Sequence, residues 1–95
     1  MATLHTEPPR LRLRLYIAGN APNSVRAIGN CRAICDEHFT SRHELEIVDL
    51  LEHPKRALAD GVIVTPTLLR LLPTPVRVIG NLSDTSQVLL ALSSR

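Results

Sequence analysis

The side chains able to do chemistry are few, and their spacing argues against most kinds of it. Cys31 and Cys35 stand four residues apart, one helical turn, and lack the two-residue spacing of a redox pair. They also fall on an apolar series of helical period, Val25, Ile28, Cys31, Cys35 and Phe39, and are expected to pack there as small hydrophobes. His5, His38, His43 and His53 share no metal-ligand spacing with the cysteines beyond a weak Cys35/His38 neighbourhood, so surface histidines are expected and a metal site is not. No recognised nucleophile motif surrounds the serines. Arginine remains, whose planar fork suits two-point contact with carboxylates. The reading is therefore of a binding protein with no cofactor and no catalysis.

Composition narrows what could be bound. Net charge is +2, and the chain has one Phe, one Tyr and no Trp. Without an aromatic platform or a clustered basic patch, nucleic-acid binding is not expected. The densest basic stretch, Arg10, Arg12 and Arg14, alternates with Leu11, Leu13 and Leu15 and reads as the wetter face of a strand. No apolar run approaches the roughly 18 residues of a membrane span. MATLHTEPPR has no basic start followed by an apolar stretch, so a cytoplasmic location is expected.

The elements that must position these residues fit one domain in 95 residues. Residues 1–9 are expected to form a flexible tail ahead of a domain over 10–95. A strand over 11–17 leads through a turn-rich segment to a helix capped by Asn23 or Ser24 and running to His38 or Phe39. Leu45–Leu50 reads as a second strand with Glu44, Glu46 and Asp49 partly on its solvent side. Strand, helix, strand makes a parallel pair with a right-handed crossover. Pro54 opens a short helix through Asp60. Ile63 to Thr67 then leads into the apolar stretch 68–72, a Pro73-Thr74-Pro75 turn and a strand over Val76–Ile79. From Ser83, Asp84 and Gln87 resemble a helix-start box, with Val88, Leu89 and Leu92 on one helical face. The unbroken run Val88–Leu92 suits a buried strand as well. Tyr16 is expected to pack at the sheet end, with Gly19 and Gly80 serving backbone geometry.

Together these elements spell a single thioredoxin-like α/β domain of order βαβαββα. In that fold a cis-proline follows the loop facing the first helix, and Pro66 is the candidate. Where thioredoxins carry two cysteines, this chain has Asn20, Ala21, Pro22 and Asn23, none of which can form a thiolate.

Three blocks are more specific: LYIAGNAPNSVRA (Leu15 to Ala27), EIVDLLEHP (Glu46 to Pro54) and VTPTLLRLLPTPVRVIGNLSD (Val64 to Asp84). In this order they resemble the KaiB family of bacterial circadian clocks, and the resemblance covers nearly all of Arg10 to Leu92. It implies a clock or timer regulator that binds the ATPase ring of a KaiC-type kinase and modulates its phosphorylation cycle. KaiA or a clock sensor kinase would be further partners where the host has them. It places Arg26, Arg70 and Arg77 near the family's ring-contact positions. It also implies two folds sharing the first half, a thioredoxin-like monomer and a tetrameric ground state with the second half rearranged, so a homo-oligomer is compatible with it. Pro66, Pro73, Pro75, Gly80, Ala91 and Ser93 lie in the region that differs and are the expected switch positions.

The chain departs from the family pattern at Ala91 and Ser93, where relatives carry a glycine and an acidic residue. Relatives continue into an acidic tail past the position of Arg95, and Val76–Ile79 is one residue and one arginine short of their pattern. Ala exceeds Gly in a helix interior by about 1 kcal/mol, so Ala91 is expected to favour the form in which this segment is helical. Two rival readings stand beside this one: a related stress-adaptation binding module, and a degenerate thioredoxin-like oxidoreductase using Cys31 or Cys35.

Overall fold

Alternation along LRLRLYI sends Leu11, Leu13, Leu15 and Ile17 to one face of the first strand and Arg12, Arg14 and Tyr16 to the other. The rest of the fold follows from that split. In the computed structural model, which describes residues 11–40 and 43–94, the order is β1 (Leu11–Ile17), α1 (Pro22–His38), β2 (His43–Asp49), α2 (Pro54–Asp60), β3 (Thr67–Leu72), β4 (Val76–Ile79) and α3 (Thr85–Ser93). The tail expected over 1–9, Arg10 and His5 lie outside the described residues. The sheet runs β2-β1-β3-β4, with β1 and β2 parallel and the other pairs antiparallel. This is the expected βαβαββα order, not the rearranged second half.

Register carries the facial split across the sheet. Leu15 pairs with Leu68, Leu13 with Arg70 and Leu68 with Val78, all on the face covered by α1 and α3. There Leu13, Leu15 and Leu68 meet Ala27, Cys31, Ile34, Cys35, Val88 and Leu92 in one aliphatic core. On the opposite face Arg14 lies beside Glu46 and Leu69, and Leu69 beside Arg77, with α2 above them.

Several boundaries differ from the sequence expectation. Neither Asn23 nor Ser24 caps α1. Pro22 is already its first residue, with φ preset for a helix, and Ala21 precedes it without a side-chain cap. The Ser24 hydroxyl is turned inward and accepts from the Ala18 N–H at 3.0 Å. The buried residues of α1 are Ser24, Ala27, Cys31, Ile34 and Cys35, with Ile28 and Phe39 packed against the core, so of the expected series Val25 alone is left exposed. β2 begins at His43, two residues before Leu45.

The ambiguous last segment is a helix. Asp84 caps it, its carboxylate accepting the Gln87 N–H at 3.2 Å. Val88 and Leu92, one turn apart, are buried while Leu90 between them is exposed. Ala91 lies within this helix and Ser93 closes it. Thr65–Pro66 is cis as expected, and Leu72–Pro73 is cis as well. Gly19 and Gly80 take φ of 54° and 115°, which a side chain would strain. Among the described residues no helix is long and apolar enough to cross a membrane.

Candidate partner-binding surface

One end of the sheet gathers the loops that could meet another molecule. The parallel strands β1 and β2 finish there, β3 starts there, β4 ends there and α1 begins there, the end at which open α/β sheets place their sites. Asp49, last in β2, ties two of these loops together: its carboxylate accepts the N–H groups of Gly19 and Leu51, both at 2.9 Å. Those two bonds hold the Asp49 carboxyl below the usual carboxylate range.

Around this rim the chain leaves large apolar side chains in water. Val25 is 54% exposed, Leu51 73%, Ile63 94%, Val64 45% and Ile79 68%. Scattered exposed apolar residues are ordinary, but a group of them at one end marks an interaction surface. Sequence reading missed this group because its members come from four separate loops and element ends.

The expected arginines are not brought together. Arg26 is exposed on the first turns of α1. Arg77 is exposed on β4, on the other side of the sheet, where its guanidinium donates to the carbonyls of Gly61, at 3.1 Å, and Asp60. It thereby satisfies the end of α2, which Gly61 closes at φ 65°.

Arg70, expected near a contact position, is fully buried in this form. Its guanidinium donates to the carbonyls of Thr74 (2.8 Å), Leu92 (2.9 Å), Ala91 (3.1 Å) and Ser94 and to the Thr74 hydroxyl (2.8 Å). It binds the end of α3 to the β3–β4 turn, and burial lowers its pKa. The sequence carried no clear signal for this: leucines flank Arg70 on both faces of β3, and the register with β1 shifts between Arg12 and Leu13.

Beneath α2 lies a polar cluster that the sequence reading treated as a solvated strand face. Arg14 donates to Glu46 and Asp60, each at 2.8 Å, and Arg56 clasps Glu46 through two bonds of 2.7 and 2.8 Å. The buried Tyr16 hydroxyl shares its one proton between the Asp60 carboxylate and the Arg56 carbonyl, the latter at 3.0 Å. Arg56 and Arg14 hold Glu46 down to about 2. Burial works against ionised Asp60, yet the Tyr16 hydroxyl and Arg14 keep its carboxyl below the usual range. Burial and the Asp60 bond push the Tyr16 phenol up. These groups satisfy one another and are occupied in attaching α2.

Cys31 and Cys35 are free and buried. Their mutual contact, together with burial, pushes the Cys31 thiol up and draws the Cys35 thiol down, but both sulfurs lie in the core at 1% exposure, where a partner disulfide has no access. Among the described residues, no group of three or more His, Cys, Asp or Glu side chains is placed to hold a metal ion.

Comparison with known proteins agrees with this geometry. The KaiB domain family model matches residues 14–94. The circadian clock protein KaiB3 of a Synechocystis species is 48% identical over 84 residues, covering 87% of this chain and 82% of that protein. The circadian clock oscillator protein KaiB of Prochlorococcus marinus is 47% identical over 81 residues, covering 84% and 68%. Among solved structures, the N-terminal domain of Synechococcus elongatus SasA aligns over 100% of this chain and 96% of its own with a TM-score of 0.70, at 16% identity. Fasciola hepatica thioredoxin aligns over 90% and 84% with a TM-score of 0.71, at 17% identity. At such identities the structural likeness speaks for the thioredoxin-like fold alone.

Proposed function

The chain belongs to the KaiB family, and from that premise we propose that it is a clock or timer regulator of the cytoplasm, which binds the ATPase ring of a KaiC-type kinase, modulates its phosphorylation cycle and has no catalysis of its own. The observation that carries this reading is a family match that runs through both halves of the fold and includes the loop Asn20–Asn23, where a thioredoxin would need cysteines. The exposed apolar rim supports it, because an association module must offer desolvatable surface. Arg26 and Arg77 flank that rim and are the proposed charged contacts. Arg70 contributes by holding α3 in place. The switch roles of Pro66, Pro73, Pro75, Gly80, Ala91 and Ser93 belong to the same proposal, as do KaiA or a sensor kinase as further partners.

The test is co-elution with the host's KaiC-type ATPase on gel filtration, followed by its phosphorylation time course with and without this chain. Co-elution of wild type, weakened by Arg77→Glu, and an altered time course are expected. No association with the ring, together with insulin reduction that Cys31→Ser abolishes, would replace this reading with the oxidoreductase one. A stress-adaptation module would bind the ring and leave the rhythm unchanged.

A further inference from the structure

Within the rim one feature has a definite shape. Between the α2–β3 loop and the outermost strand β4 runs a groove of about 280 Å³, walled by Ile63, Val64 and Ile79, with Thr67 among its lining residues and Arg77 as its one charged side chain. Its volume falls just under the roughly 300–1,000 Å³ of small-molecule sites and suits a single protein side chain. The Thr67 hydroxyl already donates to the Val64 carbonyl at 2.7 Å, so it needs no acceptor from an occupant. The walls are costly to leave in water, Ile63 above all.

Charge then selects the occupant. Arg77 is in no ion pair among the described residues, and no carboxylate lines the groove. Its two terminal nitrogens are held by the Asp60 and Gly61 carbonyls, so the cation is fixed beside the apolar walls before anything binds. A carboxylate placed there gains a preordered partner at little entropic cost. From this we infer that the groove receives one aliphatic side chain from a short acidic segment of a partner, with a neighbouring carboxylate meeting Arg77. This rests on the binding-module reading and names the partner's chemistry; the rim residues outside the groove add area without selecting charge.

The experiment titrates isotope-labelled protein with the blocked pentapeptide Ser-Asp-Leu-Glu-Ser and follows amide shifts. Two companions replace Leu by Ser, or both acids by their amides. Saturable shifts at Val64, Thr67 and Ile79 are expected with the parent peptide, at least tenfold weaker with either companion. Ile79→Glu should abolish them and Arg77→Gln should erase the preference for acid over amide, while Leu90→Ser, exposed on α3, changes neither. Absent shifts at these amides, or equal affinity for the Leu and Ser peptides, overturns the groove's role. The ring itself is not needed, so the two failures separate: protein that takes the peptide but ignores a KaiC-type ring loses the clock reading and keeps the groove, and the reverse outcome does the opposite.

Discussion

On the α1/α3 side of the sheet, Leu13, Leu15, Leu68, Cys31 and Val88 meet in a core of mainly aliphatic and thiol groups. On the α2 side, Ala57 is the one buried residue of the helix, and the attachment is made by Arg14, Tyr16, Glu46, Arg56 and Asp60. An aliphatic contact is indifferent to pH and salt and sensitive to volume. A network of ions and hydroxyls is the reverse. The two helical layers of one small domain should therefore fail under different stresses. The layer that fails to acid is also the one whose far end, at Asp60 and Gly61, positions Arg77 beside the rim.

Volume loss in the aliphatic layer should have the largest effect. Leu15 is wholly buried at the centre of β1, between β2 and β3. Leu15→Ala removes that contact and leaves a cavity, at a cost of about 3 kcal/mol. Urea unfolding at neutral pH should show a lower midpoint with an unchanged slope, and an equal loss at pH 3. A loss that shrank markedly in acid would mean that the two layers are not separable.

Arg70 crosses the division, being a cation inside the aliphatic layer. Arg70→Met keeps the bulk but leaves the carbonyls of Thr74, Leu92 and Ser94 without this donor, while that of Ala91 keeps the Ser94 hydroxyl. Relief of a desolvated charge offsets part of this, and a net loss of about 2 kcal/mol is expected. The damage should be local. Hydrogen exchange should quicken in α3 and leave α2 as it was, whereas uniform quickening would show that Arg70 supports the whole sheet.

The same contrast explains how far the sequence could be read. The aliphatic layer was legible because its pattern is periodic: alternation in 11–17 and helical spacing around Cys31 and Cys35 each point one way. In α1 the expected stripe holds from Ile28 to Phe39 and departs at Val25, where Ser24 and Ala27 take the buried positions instead. The polar layer was not legible, since Arg14, Glu46 and Asp60 are each ordinary surface residues until the parallel register sets Arg14 beside Glu46 and α2 lays Asp60 over both. Arg70 was hidden for another reason. The resemblance set it near a contact position, while leucines on both faces of β3 left strand alternation without a warning that it is buried in this form. The rim and groove come from loops that no periodicity links.

The smallest effect expected, and the most specific to the α2 layer, comes from Asp60→Asn. Its carboxylate is only 19% exposed and joins Arg14 at 2.8 Å, so its loss exceeds that of a surface pair, at about 1 kcal/mol. The pH dependence separates it from any volume effect. Asp60 and Glu46 both have folded values below their unfolded ones of roughly 4. Their stabilisation is complete above that range and is lost as pH falls through the folded values, near 2 for Glu46. Wild type should therefore weaken between about pH 5 and pH 2, and Asp60→Asn should show a shallower decline over the same window. Salt sharpens the point: at about 1 M the more exposed Glu46–Arg56 pair is screened, while the Asp60–Tyr16–Arg14 contacts persist. Urea midpoints at pH 7, 4 and 3, in low and high salt, read both dependences. If the acid decline of Asp60→Asn matches that of wild type, the α2 layer is not held by this carboxylate, and the contrast between the two faces rests on Glu46 alone.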